Sequence, residues 1–235
     1  ARLLPPRLHG MLSAARLRTL PCPHRLVFRW LTVGGAGLDS VALEPMAGGG
    51  TASVVEALIE RGILLRRSGG LIFASAVVRL VVYESIEIET RSRMHREVAR
   101  RLEGRRVAAA RLAHHQEQGG MGPEAAASYL AAGSDAERKY SYDDAMRFFG
   151  RAIALLPEGA PDAFRAHRAR EQILRALGRR KEQRHELASL RRIAEGTGDP
   201  QQLAMALCRL ARFDLDGSRY EGVEAILERA LDAAI

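Results

Sequence analysis

The chain has no asparagine and only two lysines, Lys139 and Lys181, so arginine carries nearly all of its positive charge. A GC-rich genome accounts for that choice of residue. Cysteine is almost as scarce: Cys22 and Cys208 lie far apart, and nothing motivates them as a pair. Two unpaired thiols exclude a disulfide-stapled scaffold and suit a reducing cytoplasm, where the protein is expected to reside. CxxC and HExxH are both missing, which removes the usual zinc spacings. Aromatic residues make up 5% of the chain against 47% hydrophobic, a balance that suits helices rich in Ala and Leu. No apolar run approaches the roughly 18 residues of a membrane span, and the first residues show no signal-peptide core. A membrane partner is therefore not expected. The chain begins at Ala1 without an initiator Met and stops at Ile235 inside a helical pattern, so it reads as a piece of a longer protein.

Catalytic machinery is missing too. A nucleotide-hydrolysing centre needs GxxxxGK[ST], because backbone amides cradle the phosphates and the Lys reaches the terminal ones. Gly48-Gly49-Gly50-Thr51 has no Lys, nor does Gly34 to Ser40, and both read as turns. His114 and His115 are adjacent, so on a helix they point about 100° apart and do not share a metal. His95 with Glu97, and Tyr83 with Glu84, have no nucleophile beside them. No catalytic residue, metal site or cofactor site is expected in this segment.

The charge is present but lopsided. The net charge is +8, and residues 1–107 hold 17 Arg against 9 acidic residues. Residues 108–235 hold 19 basic and 19 acidic residues and balance. The excess therefore lies wholly in the first part.

Apolar periodicity predicts helices near 7–19, 24–33 and from Asp39 or Ser40 to Ala47. In the second, Leu26, Val27, Trp30 and Leu31 are expected inward. A further helix starts at Thr51, read as its N-cap, buries Val54, Val55, Leu58 and Ile59, and ends at Gly62. Ile63 to Arg67 and Leu71 to Phe73 flank Ser68-Gly69-Gly70 and read as a hairpin. Helices near 76–86, 89–103 and 107–118 follow.

The most informative stretch is EAAASYLAAGSDAERKYSYDDAMRFFGRAIALLP, Glu124 to Pro157. It predicts two helices joined at Tyr140-Ser141-Tyr142. Gly133 and Ala145 let them approach closely, Phe149 fills the gap, and Ala152 is expected to admit the next repeat. With Tyr129, Ala132 and Pro157 this is the tetratricopeptide pattern, whose repeat is roughly 34 residues. Helix pairs near 161–177 and 179–195, then 200–215 and 219–234, continue it, with Gly178 and Gly217 at their turns. Gln183 and Val223 align with Ala145 at intervals of 38 and 40 residues. Leu187 and Leu190, then Leu227 and Ala230, align with Phe149 and Ala152. The fold class is mainly α: a winged helix-turn-helix over residues 1–104, then an α-solenoid of tetratricopeptide-like helical hairpins over 105–235.

Several segments together resemble the region that follows the ATPase core in bacterial STAND-type ATPases. That family includes large LuxR-type transcriptional regulators and ATPase modules fused to kinases or nucleotide cyclases. The matching residues are Leu4, Pro5, Ala15, Arg16, Leu17, Leu20 and Pro21; Ala57-Leu58 with Arg61-Gly62-Ile63-Leu64; Phe73 with Val77-Val78-Arg79; Val82-Tyr83-Glu84-Ser85; Arg93-Met94-His95-Arg96; and Leu112-Ala113-His114-His115. Arg18 and Ala74-Ser75 depart from the family, which commonly has an acidic residue at the first position and a basic residue with His at the second. The resemblance implies a non-catalytic regulatory and protein-interaction segment. The winged helix would be an intramolecular arm against an ATPase module, ATP would belong to that parent module, and the repeats would sense a partner or ligand.

Two surfaces are candidates. Counting from the aligned turns, the first helix of each pair would line a groove with Leu130, Ser134 and Arg138, then Arg165, Arg168, Gln172 and Arg175, then Met205, Cys208 and Arg212. Such a groove is expected to be basic and to suit a protein partner, an acidic peptide or another anionic ligand. The alternative is duplex DNA held by the winged helix through Arg61, Arg66 and Arg67. Glu56 and Glu60 stand on that helix where base-reading groups are wanted, and Arg91, Arg93, Arg96, Arg100 and Arg101 lie on another helix. A stand-alone tetratricopeptide adaptor is a third reading.

Overall fold

The computed structural model describes residues 22–35, 40–67, 70–105, 107–157 and 159–234. These are mainly helical. They fall into two compact units, one of residues 1–103 with 118–120, the other of residues 104–117 with 121–235. The helix expected at 7–19 lies outside the described residues, as do Asp39 and the hairpin's Ser68 and Gly69.

The first unit opens with α1 (Cys22–Gly34), α2 (Ser40–Ala47) and α3 (Thr51–Glu60). On α1 the buried side chains are Val27, Phe28, Trp30, Leu31 and Val33, whereas Leu26 turns outward. Phe28 replaces Leu26 on the inner face because it stacks on Phe73, centroid to centroid 5.9 Å. The buried Thr32 hydroxyl donates back to the Phe28 carbonyl at 2.7 Å, which satisfies it without a tertiary partner. Thr51 is not the N-cap of α3. Gly50 holds that place with φ +82°, and the Thr51 hydroxyl donates to the Gly48 carbonyl at 2.6 Å. Gly62, at φ +68°, ends the helix in a Schellman pattern: its N–H donates to Ile59 and that of Ile63 donates to Leu58.

Strand β1 (Leu64–Arg67) pairs antiparallel with β2 (Gly70–Phe73), Leu64 opposite Phe73. Leu64 and Leu71 are buried. Helix α4 (Ala76–Glu84) is capped by the Ser75 hydroxyl, which accepts from the Val78 N–H. Helix α5 (Ile88–Leu102) buries Met94, His95, Val98, Ala99 and Leu102 and keeps its arginines off that stripe. Helix α1 packs against α2, α3, α4 and α5 and is the hub of this unit.

The second unit is helical throughout: α6 (Ala109–Gln118), α7 (Gly122–Arg138), α8 (Tyr142–Leu155), α9 (Pro161–Ala176), α10 (Arg180–Thr197), α11 (Pro200–Asp216) and α12 (Val223–Ala234). From α7 onward each helix packs on the next. Tyr140 makes the turn between α7 and α8 at φ +58°, and Ser218, rather than Gly217, takes the left-handed position after α11 at φ +55°. The Asp199 carboxylate caps α11 by accepting from the Gln201 and Gln202 N–H groups.

Three apolar clusters follow one another. Ala113, Ala125, Tyr129 and Ala152 form the first; Ala136, Ala145, Phe149, Ala166 and Ile173 the second; Phe164, Leu187, Leu190, Ile193, Ala206 and Phe213 are in the third. Phe149 joins α7 and α8 to α9. Ala152, expected to admit the following repeat, packs instead with residues of α6 and α7. Leu227 is 44% exposed, although it aligns with Phe149. Among the described residues no helix follows α12 to cover it.

Candidate partner-binding groove

The apolar clusters place the first helices of the pairs with one polar face outward. Ser134 and Arg138 are exposed on α7; Arg165, Gln172 and Arg175 are exposed on α9, and Arg168 is half-buried there. Met205, Cys208 and Arg212 are exposed on α11. Leu130 is drawn inward instead, against the first and second clusters.

The α9 and α11 rows meet. Arg168 donates from Nη1 to the Met205 Sδ at 3.6 Å, and Arg175 Nε lies 4.0 Å from the Asp216 carboxylate. On α7, Arg138 pairs with Asp135 of its own helix. Arg165 likewise pairs with Asp162, 2.8 Å away. The row is therefore less basic than its arginines alone imply, since Asp135, Asp162 and Asp216 alternate with them. These pairs are exposed and weak, worth about 0–1 kcal/mol each, so a ligand carboxylate can compete for the guanidinium groups.

Beneath the row lies a buried polar network that periodicity did not reveal. Glu171, only 2% exposed, accepts from the Gln183 amide at 2.8 Å and pairs with Arg209, so one carboxylate ties α9 to both α10 and α11. Glu186 of α10 bonds His167 Nδ1 at 2.6 Å and Arg170 at 2.8 Å. The network holds α9 in register, and with it the face carrying Arg168, Gln172 and Arg175. One signal was available. Residues 167, 170 and 171 fall at steps of three and four from Phe164 and Leu174, where an apolar stripe expects apolar side chains.

Near α8 a second polar link serves packing. The Tyr129 hydroxyl donates to Glu117 at 2.7 Å, and Glu117 also pairs with Arg151. Burial pushes the Tyr129 phenol above its ordinary pKa, against a smaller opposite pull from Arg147.

In the first unit Arg61 caps the end of α3, and Arg66 on β1 is ion-paired with Glu56 on α3. Arg67 is exposed at the end of β1. Arg91 lies over the Tyr83 ring at 4.7 Å, and the Tyr83 hydroxyl is 3.1 Å from His95 Nε2. Gly48 to Thr51 form a turn. Its Thr hydroxyl is engaged by the Gly48 carbonyl, and it carries no lysine. Among the described residues no cluster of three His, Cys, Asp or Glu is arranged to hold a metal ion, and no helix is long and apolar enough to cross a membrane.

No protein-family model matches the chain, and no curated protein or solved structure matches it.

Proposed function

We propose that the chain is the non-catalytic regulatory and protein-interaction segment of a STAND-type signalling ATPase, of the transcriptional-regulator or kinase-linked kind. In this reading the first unit is a winged-helix arm and the second a tetratricopeptide-like array. The order of three helices and a hairpin over residues 22–73 supports the former. The close fit of Gly133 to Phe149 supports the latter. The array's ligand is a protein segment rich in carboxylates, taken along α9 and α11, and ATP belongs to the adjoining module.

The observation that carries the binding role is the meeting of Arg168 with Met205 beside Arg175, because it joins the arginine row of α9 to the face of α11, so that two successive hairpins share one surface. Duplex DNA is the rival. Glu56 disfavours it, since its carboxylate pairs with Arg66 where a phosphate would lie.

Two measurements test the reading. Sequencing upstream of Ala1 should find a GxxxxGK[ST] segment, and its absence would remove the parent ATPase. A labelled oligoglutamate peptide should bind the chain at low salt, and charge reversal by Arg168→Glu with Arg175→Glu should abolish that binding. Unchanged binding in that variant would sink the groove.

A further inference from the structure

A second cationic site lies elsewhere in the repeats and shares no residue with the proposed groove. Between the start of α10 and the end of α11 lies an open cavity of about 510 Å³, lined by Arg180, Lys181, Arg184, His185, Phe213 and Arg219. Three guanidinium groups surround the one Phe213 ring, at 3.9 Å for Arg180, 5.2 Å for Arg219 and 5.5 Å for Arg184. Each is attracted to the ring face, but the three repel one another.

The nearby carboxylates leave most of this charge standing. Asp214 pairs with Arg219 at 3.0 Å, Glu182 takes Arg179 at 2.8 Å, and Asp216 faces Arg175. Among the described residues no carboxylate lies within ion-pair distance of Arg180, Lys181 or Arg184. Arg180 and Lys181 also occupy the first turn of α10, where the positive end of the helix dipole favours acids. The fold thus concentrates positive charge at a place where its own electrostatics oppose it.

One of these cations is fixed in advance. Arg180 stacks on Phe213 and donates from Nη2 to the Phe213 carbonyl at 2.6 Å. A Cβ at residue 217 would lie 2.8 Å from Arg180 Nη2, so the guanidinium group would have to shift to admit one. Holding an arginine in place forgoes side-chain entropy before any ligand arrives. The ligand then finds one donor already held in place beside Lys181 and Arg184.

We propose that this cavity binds a small molecule carrying two or three phosphate groups. Its volume lies in the range of small-molecule pockets, roughly 300–1,000 Å³. The guanidinium groups provide bidentate donors for phosphate oxygens, and Lys181 adds a mobile point charge.

The test is calorimetric titration of the whole 235-residue chain with tripolyphosphate at low salt, with sulfate as the comparison anion. One saturable site is expected, tighter for tripolyphosphate. Lys181→Glu with Arg184→Glu should weaken it by about tenfold or more. Both side chains are exposed and a new acid at residue 181 suits the helix dipole, so circular dichroism should show that variant folded. Gly217→Ala should also weaken binding, by displacing Arg180 without changing the charge. Arg165→Glu with Arg168→Glu should leave affinity within about twofold, because neither residue, nor the Asp162 and Met205 they contact, lines the cavity. Equal weakening by the two double variants would mean diffuse attraction to a chain of net charge +8 and would overturn the proposal. So would the absence of saturable heat.

Discussion

A Cβ placed on Gly133 would lie 2.6 Å from Phe149 Cε1 and 2.7 Å from Cδ1, closer than carbon atoms approach. The ring cannot simply swing aside, because Phe149 is itself buried among Ala136, Ala145, Ala166 and Ile173. Two effects compete in Gly133→Ala. Helix propensity favours alanine by about 1 kcal/mol. Overpacking a filled core costs about 1–3 kcal/mol. The clash outweighs the gain in propensity, so net destabilisation by about 1 kcal/mol is expected in urea denaturation. The background Phe149→Leu should reverse the sign, because the smaller side chain removes the obstacle. A double-mutant cycle checks this directly. If Gly133→Ala stabilised the protein that still carries Phe149, the close fit would not be what the glycine serves.

Between helices the decisive contact is ionic. Glu171 reaches Gln183 on α10 and Arg209 on α11 from a position that is 2% exposed. Removing its cation leaves a buried carboxylate with only an amide partner, a costly state. Arg209→Met should therefore destabilise by about 2–4 kcal/mol. Glu171→Met with Arg209→Met should recover part of that loss, since no charge remains buried, and thermal melts of the single and double variants decide it. A double variant less stable than Arg209→Met would show that the pair itself binds the helices together. This network also marks how far the sequence could be read. Helix positions, the hairpin, the Gly62 stop and the Gly133–Phe149 contact were legible, because periodicity and small residues are local signals. The inward turn of Phe28 and the acid partner of Arg175 were not, because they depend on which elements meet, whereas Asp135 and Asp162 stand three residues before Arg138 and Arg165 on the same helix, a spacing open to reading. Thr51 misled for a related reason: a threonine before an apolar run reads as a cap unless the preceding Gly50 is seen to hold the left-handed conformation. In the candidate groove the arginine spacing was visible, while the compensating Asp216 comes from a helix some forty residues on.

At the scale of the whole chain, charge and packing divide at the same place. The surplus of +8 lies within residues 1–107, and residues 108–235 carry equal numbers of basic and acidic side chains. Among the described residues, the three apolar clusters of the second unit draw only on residues 113 to 213. A fragment of residues 104–235 should therefore fold by itself. Its far-UV dichroism should be strongly helical, and its urea transition should be single and cooperative. Arg209→Met should cost the fragment what it costs the full chain, within about 0.5 kcal/mol, because additivity holds where no partner is shared. A fragment that lost helicity gradually, without a transition, would mean that the repeats depend on the first unit. The same fragment separates local from diffuse electrostatics. Without the arginine-rich region its general attraction to polyanions should fall. Tripolyphosphate binding at the cavity beside Phe213 should persist, because all of its cations lie in the neutral half.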